Sequence, residues 1–260
     1  MSGGGATTGA PGRAGVLRAL HRGRAGDDPL VLPGPWDAVS ARAFEEAGFP
    51  ALATPSAGIA AALGYEDGET PAAEMFAAVA RIARSVSVPV TADLEGGYGL
   101  PAAELVERVR ESGAVGVNLE DSDPAVGLKD PEAHAAWLAE VRAAAGPGLF
   151  VNARVDAYIR KAPGGTAPGD AAVARARLYA EAGADCVYPI AAPPADLPAL
   201  RAALGDLPLN ALAVPGGLSF TELGLLGATR VTFGDGLLVR ATAGLTALAA
   251  RLRDGDALTD

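Results

Sequence analysis

Four stretches of the chain share one pattern: EEAGFPALATP, RESGAVGVNLE, AEAGADCVYPI and GLLGATRVTFG. Each is a helix tail, a glycine, and then a short apolar run. Gly48, Gly113, Gly183 and Gly227 stand where a helix C-terminus wants a left-handed residue, which glycine adopts without steric cost. The apolar runs show little alternation, as expected of parallel strands covered on both faces. Read this way, the chain predicts strands near 30–33, 51–54, 89–93, 115–119, 149–153, 186–189, 208–212 and 230–233. Helical periodicity fills the gaps, as in AAEMFAAVARIARSV and PAAELVERVRESG. Eight strand–helix units predict an α/β fold of the (β/α)8 barrel type. A doubly wound sheet is the second choice, and no G-x-G-x-x-G or G-x-x-x-x-G-K-[ST] sequence follows any strand to support it.

The barrel is expected as one catalytic domain over 28–253. The glycine-rich opening MSGGGATTGAPGRAG has no apolar core, so 1–27 is expected to be a disordered tail rather than a signal peptide, with 254–260 a C-terminal tail. A formal charge of −10, with 21 basic residues scattered along the chain, argues against a nucleic-acid surface. No apolar run approaches the roughly 18 residues of a spanning helix, so no membrane partner is expected. Cys186 is the single cysteine and allows no internal disulfide; with only His21 and His134 beside it, a Cys/His zinc site has little to draw on. A cytoplasmic protein is the expectation.

In a barrel of this kind the working groups stand at the C-terminal ends of the strands. The strand ends here offer Trp36 and Asp37, then TPSAG and Asp67, then Asp93 and Glu95, then Glu120 and Asp121, then Arg154 and Asp156, then Tyr188, Asn210 and Asp235. Some have ordinary structural readings. Asp37 and Asp121 suit helix N-caps, Gly96, Gly97 and Gly99 suit a tight turn, Cys186 suits a small buried apolar side chain, and His134 suits helix packing. Together, however, Asp93, Glu95 and Glu120, with Asp67 near them, crowd like charges into one mouth, which costs stability unless a cation lies among them. Oxygen ligands without thiolate or imidazole favour Mg2+ or Mn2+, and Asp93 is the expected direct ligand. Arg154 brings a planar fork suited to a carboxylate. Metal and arginine together predict a small acidic substrate.

The segments PWDAVSARAFEEAGF, LGYEDGE, ADLEGGYG, VNLEDSD and VNARVDAY, in this order, resemble the isocitrate lyase and phosphoenolpyruvate mutase superfamily over roughly residues 30–240. The resemblance implies a modified (β/α)8 barrel with Mg2+ at its mouth. It implies that Asp93 binds the metal, that Asp67, Glu95 and Glu120 hold the metal's waters, and that Arg154 grips the substrate carboxylate. The backbone amides of Ser56, Ala57 and Gly58 would take the 2-oxo acid end, with Trp36 and Asn210 also on the substrate side. Family members commonly form tetramers, so a homo-oligomer, dimer or tetramer, is expected.

The departures from the family pattern bear on the reaction. The usual D-x-D is Asp93-Leu94-Glu95 here, and the region EDSDPAVGLKDPEAH carries no cysteine where the lyases of this family place one. Inefficient cleavage of isocitrate or 2-methylisocitrate is the consequence expected, with Lys129 and Tyr188 the first candidates for a replacement acid. The mutases carry a lysine just after the E-D pair, where Ser122 stands here. The preferred expectation is a Mg2+-dependent lyase that cleaves or decarboxylates a small 2-oxo or 2-hydroxy di- or tricarboxylate through an enolate. A C–P mutase or phosphonopyruvate hydrolase, or a non-catalytic 2-oxo acid binder, is the alternative.

Overall fold

A computed structural model describes residues 12–255 apart from residues 25 and 124. In chain order the elements are α1 (Arg13–Leu20), β1 (Leu30–Val31), α2 (Ala38–Glu46), β2 (Leu52–Thr54), α3 (Ser56–Leu63), α4 (Ala72–Ala83), β3 (Val90–Asp93) and α5 (Ala102–Ser112). There follow β4 (Gly116–Glu120), β5 (Ser122–Asp123), β6 (Gly127–Leu128), α6 (Pro131–Ala145), β7 (Phe150–Val155), α7 (Pro168–Glu181), β8 (Cys186–Pro189), α8 (Leu197–Leu204), β9 (Asn210–Leu212), α9 (Phe220–Leu225), β10 (Arg230–Thr232) and α10 (Gly236–Arg253). Every one of the eight expected runs holds a strand. Gly48, Gly113, Gly183 and Gly227 have φ of 90°, 78°, 96° and 110°, the left-handed helix stops that the repeated pattern requires.

The strands form a five-stranded parallel sheet, β2-β3-β4-β7-β8, and a three-stranded parallel sheet, β1-β10-β9. The Val187 amide donates to Pro208 O at 3.0 Å and joins β8 to β9, while the Ala53 amide donates to Pro33 O at 3.0 Å and joins the end of β1 to β2. These two seams close the ring into a (β/α)8 barrel. The extra pair β5-β6 is a small antiparallel hairpin standing on the C-terminal rim after β4. Between strands and outer helices lies the main core, where Val79, Ile82, Leu105, Val109, Val117, Leu119 and Val151 are all essentially inaccessible. No helix among the described residues is long and apolar enough to cross a membrane.

The expected disordered tail over 1–27 needs correction. Residues 1–11 lie outside the described residues, but RAGVLRAL forms α1 and turns Ala14 and Leu17 inward. Leu17 closes the N-terminal end of the barrel against Leu30, Leu32, Ala51, Phe150 and Cys186. Arg18, on the same helix, reaches Asp185 at 2.8 Å. The physical reason is spacing: two apolar residues three apart are enough to pin a short helix when a barrel end offers a matching surface. His21 is buried and stacked on Phe150 with ring centroids 4.3 Å apart. Of the C-terminal tail, Asp254 and Gly255 form a turn and 256–260 lie outside the described residues.

Candidate active site

Strand register builds the site. Asp93 pairs with Asn118 and Asn118 with Asn152, one rung across β3, β4 and β7, while Glu120 pairs with Arg154 and Arg154 with Tyr188 on the next. Side chains two apart on a strand share a face, so both rungs point into the barrel mouth. There all but Glu120, which lies behind Arg154, line a cavity of about 350 Å3 together with Thr54, Ser56, Ala57, Asp67, Asn210, Arg230, Thr232 and Asp235.

Asp93 is held from two sides. Asn118 Nδ2 donates to its Oδ1 at 2.9 Å and Ser56 Oγ donates to its Oδ2 at 3.1 Å. Asn152 Nδ2 in turn donates to Asn118 Oδ1 at 2.9 Å, so two buried amides fix the carboxylate's orientation. Neither asparagine was singled out in the sequence. The signal was present, because in both VNLE and VNAR an asparagine stands two residues before the strand-end charge. Ser56 also begins α3, and the first amides of a helix have no acceptor within it. With Ser56 and Ala57 on the cavity wall, these amides and the positive end of the helix dipole form a place for an anion. Gly58 is buried behind them; a Cβ there would lie 2.8 Å from the Pro55 ring.

Arg154 is largely committed. Its Nε donates to Asp156 Oδ1 at 2.6 Å, Nη2 to Asp156 Oδ2 at 3.2 Å, and Nη1 lies 2.9 Å from Glu120 Oε2. Asp93 Oδ2 is 3.9 Å from Nη1, an ion-pair distance without a hydrogen bond. A guanidinium has five N–H groups, so two remain for a ligand.

The segment after Asp93 is strained. Glu95 and Tyr98 have φ of 51° and 56°, the left-handed region that non-glycine residues rarely occupy. The segment is pinned beneath the β5-β6 hairpin: Lys129 Nζ donates to Gly96 O at 3.3 Å and to Glu120 O at 3.4 Å. A Cβ on Gly97 would lie 2.7 Å from the Trp137 ring, so the chain can pass there only as glycine. Within this segment Glu95 Oε1 and the Tyr98 hydroxyl are both buried; the two side chains interact but make no well-formed hydrogen bond.

Electrostatics follow from this crowding. Burial, then Asp93 and Asp67, pushes Glu95 up to about 7. Glu120 is also raised, by burial first and by Asp156 and Asp93 next, against the opposing pull of Arg154. Asp67, at the exposed rim, is raised by partial desolvation and by Asp93. Burial pushes the Tyr188 phenol up to about 12, which keeps it a neutral donor. No three Asp, Glu, His or Cys side chains among the described residues converge into a metal cage. The set of hard oxygen donors, one of them a buried carboxylate oxygen without a well-formed hydrogen bond, therefore suits an ion that keeps several waters and takes one or two carboxylates directly.

The structure brings Asp93, Asp67, Arg154, Tyr188, Asn210, Ser56 and Ala57 to one cavity, with Glu95 and Glu120 directly behind it. It does not bring Trp36 or Lys129 there. Trp36 lines a separate groove of about 420 Å3 with Phe44, Leu237 and Arg240, and Lys129 ties the hairpin to the loop. Asp37 caps α2 as expected, in a reciprocal capping box with Ser40. Asp121 is not a cap. It is fully buried, accepting from the Asp156 amide, Arg175 and Tyr179 at 2.8, 2.8 and 2.7 Å, and so anchors α7 to the strand ends.

A closed (β/α)8 barrel with its charged groups gathered at the strand C-termini defines an enzyme of the barrel class, its working face at that mouth. The sequence model of the phosphoenolpyruvate phosphomutase family matches residues 17–253, and the chain belongs to that family. Its superfamily comprises carbon–carbon lyases and mutases. Among solved structures, a Burkholderia cenocepacia J2315 protein provisionally named a phosphonomutase is 40% identical, with a TM-score of 0.82 over 92% of this chain and 98% of that one. Oxaloacetate acetylhydrolase in complex with the product oxalate is 26% identical, with a TM-score of 0.83 over 95% of this chain and 89% of that one. A probable 2-methylisocitrate lyase of Corynebacterium glutamicum is 34% identical over 75% of this chain and 65% of its own length.

Proposed function

We propose that the chain is a divalent-metal-dependent lyase that cleaves or decarboxylates a small 2-oxo or 2-hydroxy di- or tricarboxylate through an enolate, with decarboxylation of an oxaloacetate-like acid, which breaks the bond between its third and fourth carbons, the first reaction to test. The observation that carries this reading is one cavity holding Asp93, oriented by Ser56 and Asn118, beside the Arg154 guanidinium and the first amides of α3. Asp93 would hold Mg2+ or Mn2+ directly, with Asp67, Glu95 and Glu120 supporting its waters. The ion, when bound, supplies Lewis acidity to the 2-oxo acid end of the substrate. Arg154 offers its two remaining N–H groups to the substrate carboxylate, and the α3 amides take the neighbouring oxygen where negative charge develops. Tyr188 stands in the cavity as a neutral proton donor.

Loss of carbon dioxide suits this mouth because the departing group needs no proton. The rim hairpin offers no thiol, and Cys186 is buried inside the barrel wall. The likeness to oxaloacetate acetylhydrolase supports a reaction at an oxaloacetate-type acid; the likeness to a phosphonomutase-named protein favours C–P chemistry as the second reading. We also propose a homo-oligomer: α10 has no buried residue and exposes Val239, Leu245 and Leu252, and light scattering at micromolar concentration checks it.

NMR screening of oxaloacetate, substituted malates, citrate-type acids and phosphonopyruvate with Mg2+ tests the reaction, with Arg154→Ala as control. The expected result is consumption of an oxaloacetate-like acid, reduced on the order of 100-fold or more in the variant. Consumption of phosphonopyruvate alone would overturn the C–C assignment. Binding of pyruvate or oxalate without any turnover would leave a 2-oxo acid sensor in its place.

A further inference from the structure

Arg230 opens β10 and is 2% exposed, one of the largest fully buried side chains. Its Nε and Nη1 are buried and have no hydrogen-bond partner. An arginine cannot shed its charge to escape such a place, and an unpaired buried charge is strongly unfavourable. The ionisable groups near it are Cys186, Tyr188, Asp93 and His21, the last held neutral by burial. Burial raises both Cys186 and Tyr188 to about 12, so neither is an anion near neutral pH. Asp93 is already engaged by Ser56 and Asn118.

The position is equally specific. Arg230 pairs in register with Asn210 and Leu30, and its same-face neighbour Thr232 exchanges hydrogen bonds with Asn210 at 3.0 and 3.3 Å. Arg230 lines the cavity that holds Asp93 and Arg154. Around the ring, β10 is three strands from β7 and three from β3. The cavity thus has two guanidinium groups on separate arcs of its wall: Arg154, tied to Asp156 and Glu120, and Arg230, with donors to spare.

Building on the lyase reading, we propose that Arg230 is the specificity-determining anchor for a second carboxylate, so that the substrate is a dicarboxylate held at its 2-oxo or 2-hydroxy acid end by the Asp93 side and at its far acid by Arg230. The guanidinium carries more N–H donors than the protein satisfies, and a carboxylate is the planar anion that suits it. The cavity, about 350 Å3, lies at the small end of ligand sites, which run from roughly 300 to 1,000 Å3, and suits a short diacid.

Lactate and malate differ by one carboxylate, so their affinities with Mg2+ present, measured by calorimetry, isolate the second anchor. Wild type is expected to bind malate at least about tenfold tighter than lactate, the discrimination of one well-made charged contact. Arg230→Met is expected to bind lactate as wild type does and to reduce the ratio to near one. Arg230→Lys is expected to restore part of it. The ligand-free Arg230→Met protein is further expected to melt no lower than wild type, because an unpaired buried charge has been removed; a guanidinium with a structural role would instead give a lower melting temperature or a variant that does not fold. Equal wild-type affinity for the two acids, an unchanged ratio in Arg230→Met, or failure of that variant to fold each overturns the proposal. A phosphonate analogue of malate that binds tighter than malate would assign Arg230 to a phosphonate instead. Wild type binding neither hydroxy acid removes the lyase reading along with the inference, whereas binding both equally removes the inference alone.

Discussion

At the N-terminal end of the barrel Arg18 and Arg142 both close on Asp185, and Arg201 is taken up by the carbonyl oxygens of Gly205 and Leu207. At the C-terminal end Glu95 Oε1 is buried without a well-formed hydrogen bond and three non-glycine residues, Glu95, Tyr98 and Ala191, hold left-handed backbone, while two nitrogens of Arg230 are unpaired deeper in the cavity that opens there. The N-terminal end even has the larger cavity, about 770 Å3 against about 350 Å3. Strained backbone and unpaired charged groups, rather than volume, mark the working face. The ion pairs at the first end are matched and hold the fold together, although His21 Nε2 is buried there without a partner. The charged groups at the second end are held short of satisfaction by the strands behind them, as a site awaiting a ligand must be.

The largest expected effect belongs to the N-terminal end. Leu17→Ala removes a fully buried side chain from the plug around Phe150 and Cys186, and should lower stability by about 3 kcal/mol. Turnover per folded molecule should not change. Thermal unfolding and active-site titration check both halves; an equal loss of turnover would break the division between the two ends.

Asn118→Leu reverses the pattern. It removes the donor to Asp93 and the acceptor for Asn152, and outer partners of this kind are worth roughly 10- to 100-fold in activity or metal affinity. Melting should move far less than in Leu17→Ala. A variant with full metal-dependent turnover would show that Asp93 needs no such support.

The smallest effect is one of pH. Glu95 holds its proton more tightly when folded, near pH 7, than at its ordinary value of 4.5. Between those values the folded state binds the extra proton, so the contribution from Glu95 is full below about 4.5 and is lost as pH rises through 7. Metal-free wild type should therefore lose stability relative to Glu95→Gln across that window, on the order of 1 kcal/mol after solvent screening. Saturating Mg2+ should flatten the difference. A difference that grows in wild type's favour with rising pH would contradict the placement of Glu95.

The two ends also differed in how well the sequence revealed them. The repeated glycine stops and apolar runs located all eight strands, because a helix end that needs positive φ leaves a glycine and a doubly covered strand leaves an unbroken apolar run. Strand-end charges such as Asp93, Glu120 and Arg154 were legible for the same reason. Arg230, Asn118 and Asn152 were not, since each lies within a strand and only inward alternation from the neighbouring strand end gives its direction away. Trp36 and Lys129 were misplaced because position after a strand does not fix which way a loop folds. Helix α1 was hidden by the glycine-rich residues before it, and its apolar face has meaning only against the barrel end it closes.

The account's central claim is that Asp93 anchors a metal-dependent site for a 2-oxo acid at the C-terminal mouth. Calorimetric titration of oxalate into wild type and Asp93→Ala, each with and without Mg2+, addresses it most directly. Oxalate should bind wild type only with Mg2+ and at least about 100-fold more weakly to the variant, a difference of roughly 2.8 kcal/mol. Equal Mg2+-dependent binding by both proteins would contradict the claim.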